Sequence, residues 1–267
     1  MAGSNRERQL EFYDRLYKTR NPNNEFSPVN LWYRDLLRGF VAFLDATAVR
    51  SILDVGCGDG AHTLILSRFF PSASTVGLDL SEAAIECAVR NYASEGLSFR
   101  VGSAESVAAD GPAAREGADG PGGDGYDLVT CFEVLEHVDD WEAVLDGILA
   151  ISQRYVMISV PLGKMYEFER RYGHVRHFND EIDLYLAENG FRPVRVIKAG
   201  FPFYRFFYIW LTQFSFLFDV NAKVMAAKRG WFQRFYSWVI YFCLRYLSVQ
   251  DGRGAQYLGL FELIVES

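Results

Sequence analysis

The sequence predicts an α/β fold, a mostly parallel sheet with helices on both faces. Three observations lead there. Short apolar runs rich in Val, Ile and Leu alternate with segments of helical spacing between Ser51 and Lys198, the order that successive βαβ units impose. The first run, Ser51-Ile-Leu-Asp-Val55, passes directly into Gly56-Cys-Gly-Asp-Gly60. Glycines at alternating positions let a backbone turn sharply and approach a ligand. A chain of 267 residues, 50% of them hydrophobic, has apolar surface for one substantial core, and its length suits one elaborated domain better than two.

The elements follow in order. Leu10, Tyr13, Leu16 and Tyr17 within residues 5–20, then Trp32, Leu36, Leu37, Phe40 and Leu44 within 29–45, give two amphipathic helices ahead of the first strand. Ile52, Leu53 and Val55 end that strand, and Leu64, Ile65 and Phe69 mark a helix over 60–69. Strand 74–79 and helix 81–94 come next, with Ser81 placed to cap the helix and Glu82 in its first turn. Residues 97–102 make a third strand. Residues 108–125, mostly Ala, Gly, Asp and Pro without apolar period, read as a flexible surface loop. Tyr126 to Cys131 is a fourth strand, 140–151 a helix, and Tyr155 to Val160 a fifth strand stopped by Pro161. A charged loop over 161–178 leads to helix 180–189, closed by Gly190. Phe191 to Lys198 and Tyr257 to Val265 supply the sixth and last strands.

The turn after the first strand reads as a nucleotide-type site, because strand end, glycine loop and the free N–H groups of a helix N-terminus converge on it. Gly56-x-Gly58-x-x-Ala61 also fits the dinucleotide fingerprint, a weak pattern when alone. Two acids point elsewhere. Asp54, just before the first glycine, is placed to accept a hydrogen bond from a cationic amine. Asp79 closes the next apolar run about twenty residues on, where an acid bonds ribose hydroxyls. With these residues in hand, the chain resembles class I S-adenosylmethionine (SAM)-dependent methyltransferases over residues 48–200. The resemblance implies a Rossmann-like, seven-stranded sheet whose last two strands form an antiparallel hairpin, with SAM as cofactor. It also implies that Asp54, Gly56, Cys57, Gly58, Gly60, Asp79 and Leu80 hold the cofactor, with Phe132 after the fourth strand. Gly102-Ser-Ala104-Glu105 falls at the adenine, with Ser103 where this family usually has an acid. Residues 1–47 would form a helical lid from which Tyr13 or Tyr17 touches the SAM carboxylate, a role that competes with plain core packing.

Glu133-Val-Leu-Glu136-His137 follows the fourth strand, and ligands of open α/β sheets sit at strand C-termini. On a helical turn, positions i, i+3 and i+4 share a face, so two carboxylates and an imidazole converge. That set suits Mg²⁺ or Mn²⁺. The string resembles that of ubiquinone-pathway O-methyltransferases and of small-RNA 3′-end 2′-O-methyltransferases. In the latter, these positions bind a divalent metal together with a histidine from the loop after the fifth strand. His174, in Gly173-His-Val-Arg-His177-Phe, lies in the matching region. Three readings stand: Glu133, Glu136, His137 and His174 as metal ligands; His137, His174 and Glu133 as metal-free catalytic groups; and a structural role. Arg176 reads either as an anchor for an anionic or glycosyl substrate or as a solvated loop residue.

Residues 201–253 separate the core, 48–200, from a last-strand segment, 254–267. They are the oddest part in composition: Phe201 to Leu211, Phe214 to Phe218 and Trp231 to Val249 are apolar on nearly every side. Arg205, Gln213, Arg234 and Arg245 interrupt them, short of the roughly twenty apolar residues a membrane span needs. Three readings compete: core or a homodimer interface, the wall of an apolar substrate pocket, and contact with a membrane surface through flanking Lys and Arg.

Net charge of −7 argues against nucleic acid, which is bound by neutralising phosphates. Four cysteines without a C-x-x-C pair and a charged N-terminus suit a reduced, cytoplasmic protein, with peripheral membrane contact as the variant. The expected function is SAM-dependent methyl transfer, to oxygen on an apolar, lipid-linked or glycosylated small molecule. Gly173 to Phe178 with Gly200-Phe-Pro-Phe203 also resembles methyltransferases of bacterial glycan and natural-product pathways. The alternatives are N- or C-methylation of a small natural product and a non-catalytic SAM-binding docking protein.

Overall fold

The computed structural model describes residues 10–11, 13–14, 17–18, 28–104, 125–171, 173–206 and 231–264. The loop expected over 108–125 lies outside them except for Gly125, as do Glu105 and residues 207–230 of the aromatic segment. Leu10, Tyr13 and Tyr17 are helical.

The sheet has seven strands: β1 (Ser51–Val55), β2 (Ser74–Asp79), β3 (Leu97–Val101), β4 (Tyr126–Phe132), β5 (Ser152–Pro161), β6 (Phe191–Phe201) and β7 (Val249–Leu263). Their spatial order is β3-β2-β1-β4-β5-β7-β6. β1 pairs in parallel with β2 and β4, and β7 runs antiparallel to both β5 and β6. The order reverses between β1 and β4, the switch point outside which open α/β sheets bind ligands.

Helices cover both faces. α1 (Pro28–Val41) and α2 (Ala61–Phe69) bury Trp32, Leu37, Phe40 and Leu66 against Ile52, Leu128, Met157 and Leu258. α3 (Glu82–Tyr92) starts on Ser81, whose Oγ accepts the Ala84 N–H at 3.1 Å. α4 (Trp141–Ala150) starts on Asp140, whose Oδ1 accepts the Ala143 N–H at 3.1 Å. α4 and α6 (Glu181–Glu188) bury Leu145, Ile148, Ile182 and Leu186 in the second core, with Val129, Val156 and Phe261. Strands facing helices on both sides must be apolar throughout, and β5 is buried at all seven positions from Tyr155 to Pro161.

Three boundaries differ from the sequence pattern. A short helix, α5 (Glu167–Arg171), interrupts the loop before His174. A helix α7 (Trp231–Phe242) runs into a π-helical turn, Cys243–Leu247, within the aromatic segment. β7 begins at Val249 rather than Tyr257, and its early part pairs Gly254 with Gly200 and Val249 with Phe201. Polar and glycine residues there carry no period-two alternation, so backbone pairing alone makes the strand.

Candidate active site

The loop after β1 is built for close approach. Gly56, Gly58 and Gly60 all take positive φ, 73°, 54° and 82°, a region L-residues enter only with strain. A Cβ on Gly56 would collide with Val134, and one on Gly58 with the Tyr17 hydroxyl. Gly60 serves packing instead, with Phe99 and Ala88 against its Cα. Asp79 fixes the loop to the end of β2, accepting the Gly58 N–H on Oδ2 and the Ser81 N–H on Oδ1, each at 2.9 Å. Burial nonetheless raises its pKa.

In front of this loop lies a cavity of about 390 Å³ lined by Tyr13, Tyr17, Gly56, Asp79, Leu80, Ser103, Ala104, Glu133 and His137, among others. Gly56, Asp79, Leu80, Ala104 and Tyr17, expected at the cofactor, therefore share one wall system with Glu133 and His137.

Asp54, Phe132 and Cys57, also expected at the cofactor, do not line this cavity. Asp54 is 2% exposed, and its carboxylate accepts Thr63 Oγ1–H at 2.6 Å and Thr130 Oγ1–H at 2.7 Å. It braces the loop from behind rather than opening onto the cavity. Burial pushes its pKa up to about 6 despite those two bonds. Phe132 faces the α1 side, edge-on to Tyr33 and His62 at 6.0 and 5.9 Å. Cys57 turns its thiol into a small apolar cluster with Ile85, Ala88 and Phe99. Residues on strands buried on both faces give no sign of which face each side chain takes.

Beyond β4 the chain makes a strained turn. Glu133 is the only non-glycine residue with positive φ among the described residues, at 57°, and Leu135–His137 forms one 3₁₀ turn. The expected helical i, i+3, i+4 face is therefore absent. Glu133 turns instead to Ser159 Oγ–H, which donates to it at 2.8 Å, and to Gln256, which donates from β7. Glu136, His137 and His174 do converge, each offering a ligand atom within 4.8 Å of the others.

Glu136 is fully buried, and neither of its carboxylate oxygens has a hydrogen-bond partner. The His137 ring stands beside it, 3.7 Å from Nε2 to Oε1. Burial raises the pKa of Glu136 well above the usual range, helped by the charge of Glu133. Burial also lowers the histidines: His137 to about 4, although the Gly173 backbone hydrogen-bonds it, and His174 to about 3, with His137 and His177 adding to the effect. Both imidazoles are neutral at pH 7.

The surrounding loop holds these groups in register. The Glu136 carbonyl accepts the Val175 N–H at 2.8 Å, and Glu169 O accepts the His174 N–H at 3.1 Å. His174 Nδ1 lies 3.3 Å from His177 Nε2, which in turn lies 3.5 Å from Glu169 Oε2. Arg176 donates to the Asp139 carbonyl, closing the loop over the 3₁₀ turn. From the N-terminal helical residues, Tyr13 Oη stands 3.0 Å from Nε2 and 3.2 Å from Nδ1 of His137. Tyr17 stacks on Tyr13 at 6.2 Å. Sequence reasoning missed Ser159, Gln256, Glu169 and the Tyr13–His137 contact. Each pairing spans strands or loops that no local pattern links.

Comparison with known proteins bears on this geometry. A family model described as a methyltransferase domain matches residues 22–196. Two curated proteins named ubiquinone biosynthesis O-methyltransferase are similar. The one from Cupriavidus pinatubonensis is 34% identical over 127 residues, 48% of this chain and 46% of that protein. The one from Burkholderia pseudomallei is 37% identical over 133 residues, 48% of this chain and 50% of that protein. The match thus spans about half the length of these relatives. Among solved structures, a SAM-dependent methyltransferase from Anabaena variabilis superposes with a TM-score of 0.57 at 14% identity, covering 99% of this chain and 96% of that one. A methyltransferase from Haloferax volcanii, solved with its Trm112 activator, gives 0.58 at 15% identity, covering 95% and 98%. At such identities the likeness shows the fold. With the domain match covering most of the chain and the β3-β2-β1-β4-β5-β7-β6 sheet around it, this protein belongs to the methyltransferase-domain family, in its class I, SAM-dependent form.

Proposed function

We propose that this chain transfers the methyl group of SAM to an oxygen atom on an apolar, lipid-linked small molecule. The observation that carries the reading is the convergence of Glu136, His137 and His174 beside the cavity that the glycine loop and Asp79 line. The O-methyltransferase names of the relatives support it.

The reaction is an in-line displacement: the acceptor oxygen bonds to the methyl carbon, the carbon–sulfur bond breaks, and the sulfur keeps the electron pair as S-adenosylhomocysteine leaves. Alignment provides most of the acceleration, and the hydroxyl proton needs an acceptor. His137 lines the cavity as a neutral imidazole, hydrogen-bonded by the Gly173 backbone and touched by Tyr13. It is therefore ready to take that proton. Glu133, held by Ser159 and Gln256, lines the same space, and burial raises its pKa.

Glu136, His137 and His174 also fit a divalent cation, since a buried carboxylate without hydrogen-bond partners is costly unless a cation compensates it. These three side chains would hold Mg²⁺ or Mn²⁺, which would supply a Lewis acid able to lower the pKa of an acceptor hydroxyl. Asp79 and the loop amides position the cofactor whether or not an ion is used.

The test is incubation with methyl-labelled SAM and hydroxylated prenyl phenols, followed by mass spectrometry. An O-methyl ether is the expected product. Label on nitrogen or carbon, or SAM binding without transfer, overturns the reading. Titration calorimetry with Mg²⁺ or Mn²⁺ examines the ion separately: binding to the intact chain and none to Glu136→Ala is expected.

A further inference from the structure

The face formed by α7 and its π-helical turn joins a buried side to a row of exposed rings. One side of this element is core: Ile240 and Leu244 are buried among Trp32, Leu37 and Phe40 of α1. Tyr241 Oη–H and Arg245 both reach Asp35 there, at 2.5 and 3.4 Å. The other side is a row of exposed rings. Phe235, Trp238, Phe242 and Tyr246 are 56%, 57%, 38% and 62% exposed. Successive ring centroids lie 6.4, 5.4 and 5.2 Å apart, so the row is continuous. Leu247, Val249 and Phe201 extend it, and Phe201 pairs directly with Val249 across the β6–β7 ladder. A contiguous apolar surface of this kind on an ordered helix marks a contact site.

Charge identifies the partner. Residues 201–253 carry seven Lys and Arg against two acids, Asp219 and Asp251, in a chain whose net charge is −7. The segment that bears the rings is thus basic by five charges within an acidic chain. Arg245 lies over the Tyr246 ring at 5.3 Å, at the rim of the row. Aromatic rings beside basic side chains match the boundary of an anionic bilayer, where rings sit at headgroup depth and cations meet the anionic headgroups. No described helix is long and apolar enough to cross a membrane, so the element lies along the surface rather than through it.

We propose that α7 and its π-helical turn dock this protein on membranes that carry anionic headgroups, with Trp238 and Phe242 at the centre of the contact. The inference does not depend on which acceptor is methylated.

The experiment is flotation of the full chain with vesicles of phosphatidylcholine containing about 30 mol% phosphatidylglycerol, beside vesicles of phosphatidylcholine alone. The anionic vesicles are expected to carry the protein, with partitioning at least about tenfold stronger than to neutral ones and weakened by salt. Trp238→Glu should reduce partitioning about tenfold or more while SAM binding by calorimetry stays unchanged. Phe235→Ser serves as a milder second variant should Trp238→Glu not fold. Failure to float, or flotation indifferent to both variants, overturns the proposal. So does a vesicle-independent dimer in light scattering that Trp238→Glu splits, because a second copy would then own the face.

Discussion

The two ends of the site handle buried charge in opposite ways. At the glycine-loop end, Asp54 and Asp79 each accept two hydrogen bonds, from threonine hydroxyls or from backbone amides. At the other end Glu136 is buried more completely and accepts none from another described residue. Buried polar groups in proteins are nearly always satisfied. An exception beside two neutral imidazoles is the mark of a site kept for something that arrives later. The satisfied end is scaffold for the loop, and the unsatisfied end is where stability has been given up for chemistry.

That contrast can be broken by experiment. The largest effect is expected on turnover: Glu136→Leu should lower kcat by at least about 100-fold, with KM for SAM little changed, in a methyl-transfer assay. In the ligand-free protein the same leucine should have the opposite sign on stability. Removing an uncompensated buried carboxylate should stabilise Glu136→Leu by about 1–3 kcal/mol in urea unfolding. Asp54→Leu, which orphans the hydroxyls of Thr63 and Thr130, should destabilise by about 2–4 kcal/mol. Equal signs for the two leucines would erase the distinction.

A smaller effect follows from pH. Asp54 binds its proton more tightly folded than unfolded, since its pKa rises to about 6. Its contribution is therefore fully present below about pH 4 and is lost as pH rises through 6. The stability of the wild type relative to Asp54→Asn should fall over that window by about 1–3 kcal/mol and stay level above it. Smallest is Tyr13→Phe. Loss of one hydroxyl near His137 should slow turnover by roughly threefold to tenfold, read as kcat at saturating SAM.

The glycine-loop end was the part legible in the sequence. Gly56, Gly58 and Asp79 owe their places to backbone geometry, which a local string encodes, and Ser81 caps its helix for the same reason. The strand order likewise follows from alternating apolar runs and short connections. Asp54 and Phe132 were expected at the cofactor because their strands point there. Which face a side chain takes on a doubly covered strand is decided by packing that no periodicity reveals. The orientation of Glu133 was hidden for a related reason. A helical turn was the natural reading of Glu133 to His137, but the backbone enters a positive φ first and swings that carboxylate toward Ser159 and Gln256. The latter partner lies more than a hundred residues away in sequence.

The place of β7 couples the edge of the sheet to the candidate site. β6 can join the sheet only through β7, which separates it from β5. Gln256, whose amide holds Glu133, rides on that same strand. A chain cut after residue 248 lacks Gln256 and would carry Glu133 without one of its two side-chain donors. One strand therefore both ties β6 to the sheet and steadies the carboxylate beside the cavity.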